Sequence, residues 1–140
     1  MSEPTCPSCA GSPALAEIVD REVNFLGCTD CYGLFVTEEN LGEYVAHATG
    51  QPGVRTSYLE LLEEATAKLG GESKRTCPRC HEKMRRIGFG ESPLVILERC
   101  ALHGLWLDKK ELTKVKRAAR AHAAVRGLID RTAADEEDDD

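Results

Sequence analysis

Aromatic side chains make up only 5% of this 140-residue chain, and a single tryptophan stands among them. That scarcity argues against base stacking as a principal way of holding nucleic acid. No run of 18 or more apolar residues occurs, which excludes a membrane-spanning helix on the sequence. The first residues, with Glu3, Pro4 and Cys6, have neither the basic start nor the apolar stretch of a signal peptide, so the expected location is the cytoplasm. No nucleophile with its base can be assembled from these residues with any specificity, and the chain is expected not to be an enzyme.

Charge is plentiful but unevenly placed. The formal net charge of −6 matches six carboxylates that close the chain, Asp135, Glu136, Glu137, Asp138, Asp139 and Asp140. Before Ser73 there are 3 bases and 12 acids, a net of −9; from there to the tail there are 15 bases and 6 acids, a net of +9. Such asymmetry reports on partners and solubility rather than on fold. The length allows one ordinary domain or two very small ones.

Seven cysteines remain to be placed. In a reducing compartment an odd number is a poor disulfide framework, which leaves metal or redox chemistry. Sliding the chain against itself by about 71 residues brings two units into register. TCPSC (Thr5 to Cys9) meets TCPRC (Thr76 to Cys80), Cys28 and Cys31 meet Cys100 and His103, and GLFVTEENL (Gly33 to Leu41) meets GLWLDKKEL (Gly104 to Leu112). Each unit thus offers four ligands as two pairs with a two-residue gap: Cys6, Cys9, Cys28 and Cys31, then Cys77, Cys80, Cys100 and His103. A tight turn with that gap aims two side chains at one ion, and a hairpin spacer brings the second pair to its other side, which is the format of a tetrahedral Zn2+ site. Two structural Zn2+ ions per chain are expected, and four protein ligands leave no open position for catalysis. His103 is assigned as a ligand because it stands where Cys31 stands in the first unit. His81 adjoins Cys80 too closely for a fifth ligand, and His47 and His122 fall in helical segments. Cys-x-x-Cys is also the thiol–disulfide exchange motif, a minor alternative, since no βαβ pattern surrounds these pairs.

These motifs resemble the transcription factor IIB-type zinc fingers, small zinc ribbons common in bacterial proteins. The CPxC opening, the second ligand pair and the closing phrase carry the resemblance, with Gly104, Leu105, Trp106, Leu107, Asp108, Glu111 and Leu112 fitting that phrase closely. The first unit has Phe35, Val36, Thr37 and Asn40 at the corresponding places, and the second lacks the residue that Tyr32 supplies before the glycine. The resemblance implies zinc binding by each unit and does not by itself imply DNA binding.

The fold expected is a small, metal-stabilised α+β protein of two zinc-ribbon β-hairpin units, each followed by α-helix. Residues 1–69 hold the acidic unit with two helices, 70–75 a linker, 76–131 the basic unit with its helix, and 132–140 a disordered acidic tail. Thr37 and Asp108 are the expected helix caps, Asp108 with Glu111 as its capping-box partner. After Thr37, Leu41, Tyr44, Val45 and Ala48 recur at helical spacing until Gly50, Pro52 and Gly53 break the pattern; a second helix is expected from Thr56 or Ser57 to Leu69, burying Tyr58, Leu61, Leu62, Ala65 and Leu69.

The C-terminal helix, read from Asp108, separates an apolar arc of Leu112, Val115, Ala118, Ala119, His122, Val125 and Ile129 from a basic arc of Lys109, Lys110, Lys114, Lys116, Arg117 and Arg120. The apolar arc is alanine-rich and lacks aromatics, which disfavours membrane contact. With Lys74, Arg75, Arg79, Lys83, Arg85 and Arg86 the basic arc would form a broad positive surface suited to phosphates. Two functional readings follow: a regulatory or assembly factor that touches nucleic acid or a nucleoprotein complex through its basic half, or a protein–protein adaptor with no nucleic-acid binding. The opposite halves could pack on each other or form a head-to-tail homodimer, and the acidic tail could fold back on the basic helix.

Overall fold

The first pair of strands is joined without glycine. In the computed structural model, which describes residues 3–68 and 70–129, β1 (Ala16–Asp20) and β2 (Val23–Gly27) are joined by Arg21 and Glu22 at φ 50° and 66°. Two successive left-handed residues match the twist of a two-residue hairpin. β3 (Leu34–Val36) pairs with β2 and leads into α1 (Glu38–Thr49). Thr37 caps α1 as expected, its Oγ1 accepting from Asn40 N at 3.1 Å, and Gly50 ends it at φ 67° with its N–H returned to Ala46 O. α2 spans Pro52–Ala67, a turn earlier than the sequence spacing predicts. The Pro52 and Gly53 pair read as a break instead fills the first helical turn, where backbone N–H groups have no intrahelical acceptor anyway. Leu69 lies outside the described residues.

Residues 70–75, expected as a linker, belong to the sheet. Gly70 N donates to Arg86 O at 2.8 Å, Arg86 N to Gly71 O at 2.9 Å, and β4 runs over Glu72–Thr76. The stretch reads as a linker because it is polar, yet Ser73 and Arg75 find partners in Glu98 and Asp108. β5 (Lys83–Phe89), β6 (Val95–Cys100) and β7 (Gly104–Leu107) follow, then α3 (Glu111–Val125). Asp108 does not cap α3, whose N-cap is Lys110 at φ 75°. Half of the capping box survives, with Asp108 N donating to Glu111 Oε1 at 2.5 Å, while the Asp108 carboxylate accepts from Arg75 Nη1 at 2.8 and 2.9 Å and from Trp106 Nε1 at 3.2 Å. The guanidinium outcompetes the backbone for it.

All seven strands form one antiparallel sheet in the order β1-β2-β3-β7-β6-β5-β4. The two halves meet at β3 and β7, where Leu34 faces Leu107, Phe35 faces Trp106 and Val36 faces Leu105. Alternation along these strands divides two cores. Val36, Leu105 and Leu107 join Phe25, Ile87, Phe89 and Leu97 beneath the helices, whose Leu41, Tyr44, Val54, Tyr58, Val115 and Ala119 complete that core. Phe35, Trp106 and Met84 turn to the other face and pack with the cysteines.

The helices bind the halves together as well. α2 lies between α1 and α3 and rests on β5. Buried Tyr58 donates its hydroxyl to Glu38 O at 2.7 Å, and Phe25 meets Tyr44 edge-on at 5.2 Å. Opposite charges also meet across the halves, Arg99 with Glu38 at 2.6 Å and Arg126 with Glu60 at 3.1 Å. α3 ends at Val125, which is exposed, and Ile129 packs against the core from beyond the helix end. The expected acidic tail lies outside the described residues. Among the described residues no helix is long and apolar enough to cross a membrane.

Candidate metal centres

Four short loops carry the eight candidate ligands, and hydrogen bonds to the loop backbone set each one. In the first half Cys6 N donates to Pro13 O and Cys28 N to Gly33 O; in the second, Cys77 N donates to Glu82 O. Tyr32 and His81 follow their knuckles at φ 62° and 63°, each returning its N–H to the carbonyl four residues back, Cys28 O and Cys77 O, at 2.9 Å. The amides of Ser8 and Arg79 point at Cys6 Sγ and Cys77 Sγ, both at 3.4 Å. An amide aimed at sulfur favours the thiolate, the form that binds metal.

The loop holding His103 differs. It is one residue shorter than its counterpart at Tyr32, and His103 N bonds to Cys100 O at 3.2 Å, three residues back. Gly104 absorbs the missing residue at φ 142°, a conformation L side chains rarely adopt, and a Cβ there would strike Val36 O.

The result is two groups of four, Cys6, Cys9, Cys28 and Cys31, and Cys77, Cys80, Cys100 and His103, whose ligand atoms lie within 4.8 Å of one another. Cys6 Sγ is 3.7 Å from Cys31 Sγ, Cys9 Sγ is 3.8 Å from Cys28 Sγ, and Cys80 Sγ is 3.8 Å from Cys100 Sγ. Four thiolates at about 2.3 Å from one Zn2+ would stand about 3.8 Å apart along a tetrahedral edge. His103 Nδ1 lies 3.5 Å from Cys100 Sγ and 3.7 Å from Cys77 Sγ. The corresponding sulfur–nitrogen edge around zinc is about 3.5 Å. The donor set therefore fits a divalent cation of that size.

The protonation chemistry points the same way. Burial, then the neighbouring sulfurs, push Cys9 up to about 12. Burial also raises Cys28, but the amides of Cys31 and Asp30 outweigh it and bring that thiol down to about 7. Burial takes Cys77 up to about 11 against the amides of Cys80 and Arg79. A shared cation would favour the thiolate form against the burial that raises Cys9 and Cys77.

Both groups flank the one tryptophan. Trp106 is fully buried, with Phe35 opposite it, Gly33 beneath its ring and Cys6, Cys28 and Cys77 in the same cluster. Thr5 N donates to Pro78 O at 3.2 Å and Arg75 Nη2 to Ser8 Oγ at 3.3 Å, so first-half and second-half loops touch directly. The network of Arg75, Glu98, Asp108, Ser73 and Ser8 has no advance signal in the sequence, where Arg75 reads as one base in a polar linker.

The basic arc of the C-terminal helix is not wholly at the surface. Lys109, Lys110, Lys114 and Arg117 are exposed, but Lys116 is 0% and Arg120 8% exposed. The Lys116 ammonium stands 5.5 Å from the centre of the Tyr44 ring, whose hydroxyl donates to Asp20 at 3.1 Å. Helical spacing alone cannot register that α1, through Tyr44, lies against this side of α3. Lys109 lies 5.4 Å from the Tyr32 ring centre, linking the two halves again. His122 is an interhelical residue, its Nδ1 2.9 Å from the buried Ser57 hydroxyl and 3.8 Å from Glu60. His47 stands 4.0 Å from Glu43 on exposed α1 surface, and His81 is exposed.

Comparison with known protein families, curated proteins and solved structures finds no match. The resemblance to transcription factor IIB-type fingers thus has no family match behind it. Among the described residues, what stands is a small α+β fold with one antiparallel sheet, three helices and two clusters of metal-compatible side chains.

Proposed function

We propose that this chain is a non-enzymatic interaction protein built on two structural zinc sites of the zinc-ribbon kind. The observation that carries this reading is the spacing of the ligand atoms, 3.7 to 3.8 Å between sulfurs and 3.5 to 3.7 Å from sulfur to His103 Nδ1, which suits tetrahedral Zn2+. When bound, zinc supplies a cross-link between loops and neutralises thiolate charge. The chain's own residues fill all four positions at each cluster, which leaves none for substrate. Metal analysis of the purified protein is expected to give two zinc ions per chain, and His103→Ala one. A wild-type value below two under zinc-replete conditions overturns the reading.

The working surface is best read as one for protein partners. Burial of Lys116 and Arg120 takes two of six charges from the arc that would have met phosphates, and Arg75 is committed to Glu98 and Asp108. Contact with nucleic acid or a nucleoprotein complex is the second reading, favoured by the exposed Lys109, Lys110, Lys114 and Arg117. Anisotropy titrations with nonspecific DNA and RNA at several salt concentrations separate the two. Absence of binding at low salt supports the protein-partner reading, and affinity falling steeply with salt supports the other.

A further inference from the structure

The two clusters differ by one sulfur. In the first, sulfurs face each other in pairs across the loops, Cys6 with Cys31 and Cys9 with Cys28. Each pair joins one buried thiol, Cys6 or Cys28, to one partly exposed thiol, Cys31 or Cys9. In the second, the partly exposed Cys80 and Cys100 face each other at 3.8 Å, and His103 Nδ1 stands 3.5 Å from Cys100 and 3.7 Å from the fully buried Cys77.

Resting on the zinc reading above, we infer that hydrogen peroxide releases both zinc ions while closing three disulfides, Cys6 to Cys31, Cys9 to Cys28 and Cys80 to Cys100, and leaves Cys77 as the one remaining thiol. A partly exposed thiolate attacks a peroxide oxygen; the O–O bond breaks, hydroxide leaves as water after taking a proton, and the sulfur becomes a sulfenic acid. The facing thiolate then attacks that sulfur, the S–O bond breaks, a second water leaves after another proton is taken up, and the S–S bond forms. Each pair of thiolates gives up two electrons as its disulfide forms, turning one peroxide and two protons into two waters. The first cluster therefore supplies four electrons and the second only two. With all four ligands of the first cluster and two of the four in the second spent in disulfides, only Cys77 and His103 are left to hold metal, and neither cluster can retain its ion. Cys77 is stranded because the fourth ligand of its cluster is a nitrogen, which cannot form a disulfide.

The full-length zinc-loaded protein tests this. Zinc is first counted by metal analysis, then excess peroxide is added with a chromogenic chelator, and the chain is denatured in N-ethylmaleimide and digested with trypsin. Cleavage after Arg75, Arg79, Lys83 and Arg99 puts Cys77, Cys80 and Cys100 on separate peptides. The expected result is release of both zinc ions, one maleimide per chain on Cys77, the Cys80 peptide joined to the Cys100 peptide, and residues 1–21 joined to 22–55. A maleimide on Cys80 or Cys100, a bond within one loop such as Cys6 to Cys9, or zinc retained in excess peroxide overturns the inference. A zinc count below two before peroxide is added overturns the metal reading instead. In His103→Cys the eighth sulfur is expected to pair with Cys77, so that maleimide uptake falls from one to zero; uptake of two in that variant refutes the role given to His103.

Discussion

Gly33→Ala probes the join between the two halves at one atom. The φ of Gly33 lies outside the left-handed region, so alanine adds no backbone strain there, and the effect is steric. The new Cβ would fall 2.7 Å from Trp106 Cη2 and closer still to Cζ2. The indole has little room to retreat. It is fully buried, Phe35 lies across from it in the β3–β7 register, and its Nε1 donates to Asp108 Oδ1 at 3.2 Å. Overpacking in a closed core costs about 1–3 kcal/mol, and losing a hydrogen bond to a carboxylate about 1.5 kcal/mol more. The reduced entropy of the unfolded chain returns about 0.5 kcal/mol. A net loss of about 2–4 kcal/mol is expected, read by urea unfolding followed by far-UV circular dichroism at saturating zinc, with unchanged slope. Trp106→Phe leaves space for the methyl group, so the double variant is expected to be at least ~1 kcal/mol more stable than the two single losses add up to. Gly33→Ala stability within about 0.5 kcal/mol of the parent, or strict additivity in the cycle, refutes the contact.

Removing metal with a chelator is expected to shift the emission of Trp106 to the red and to reverse on adding zinc, since structural zinc supplies about 10 kcal/mol or more per site; an unshifted spectrum contradicts the dependence. Glu111 is held up at about 7, first by burial and then by the Asp108 and Glu98 carboxylates, against an ordinary value of 4.5. Its proton therefore favours the folded state, and stability is lost as pH rises from about 4.5 through 7. Glu111→Gln should gain about 1 kcal/mol over the parent at pH 8, after allowance for solvent screening, and much less at pH 5.5; an equal difference at both values speaks against it. Arg75→Ala removes the base that Glu98 and Asp108 share, and with Glu98 nearly buried the expected loss is about 3 kcal/mol in thermal or urea unfolding. A loss under about 0.5 kcal/mol would class the cluster with ordinary surface ion pairs.

The gathering of the eight side chains into two groups of four was legible because its information is local: a two-residue gap and a turn bring two side chains to one side, and the repeated order placed His103 with the second group. Thr37 and Gly50 as helix ends were legible for the same reason. The join was not, since pairing β3 with β7 depends on which edges remain free after both hairpins close. Residues 70–75 read as a linker because polar composition does not distinguish a linker from a strand whose side chains have polar partners. Asp108 was misread as a cap because the competing guanidinium of Arg75 lies 33 residues away. Lys116 and Arg120 were misread because a helical wheel knows the axis of α3 but not its neighbours, Tyr44 among them.

The β3–β7 seam also sets what would follow if the chain were parted. A fragment ending before β4 would carry β3 as a raw edge, with Phe35 uncovered and α2 deprived of β5 and α3. The remaining fragment would carry β7 in the same condition, with Trp106 bare. Each piece would thus have a sticky end shaped for the other, three residues of open backbone beside an exposed aromatic. Severed, the halves would be poor at living apart and well suited to split-protein complementation.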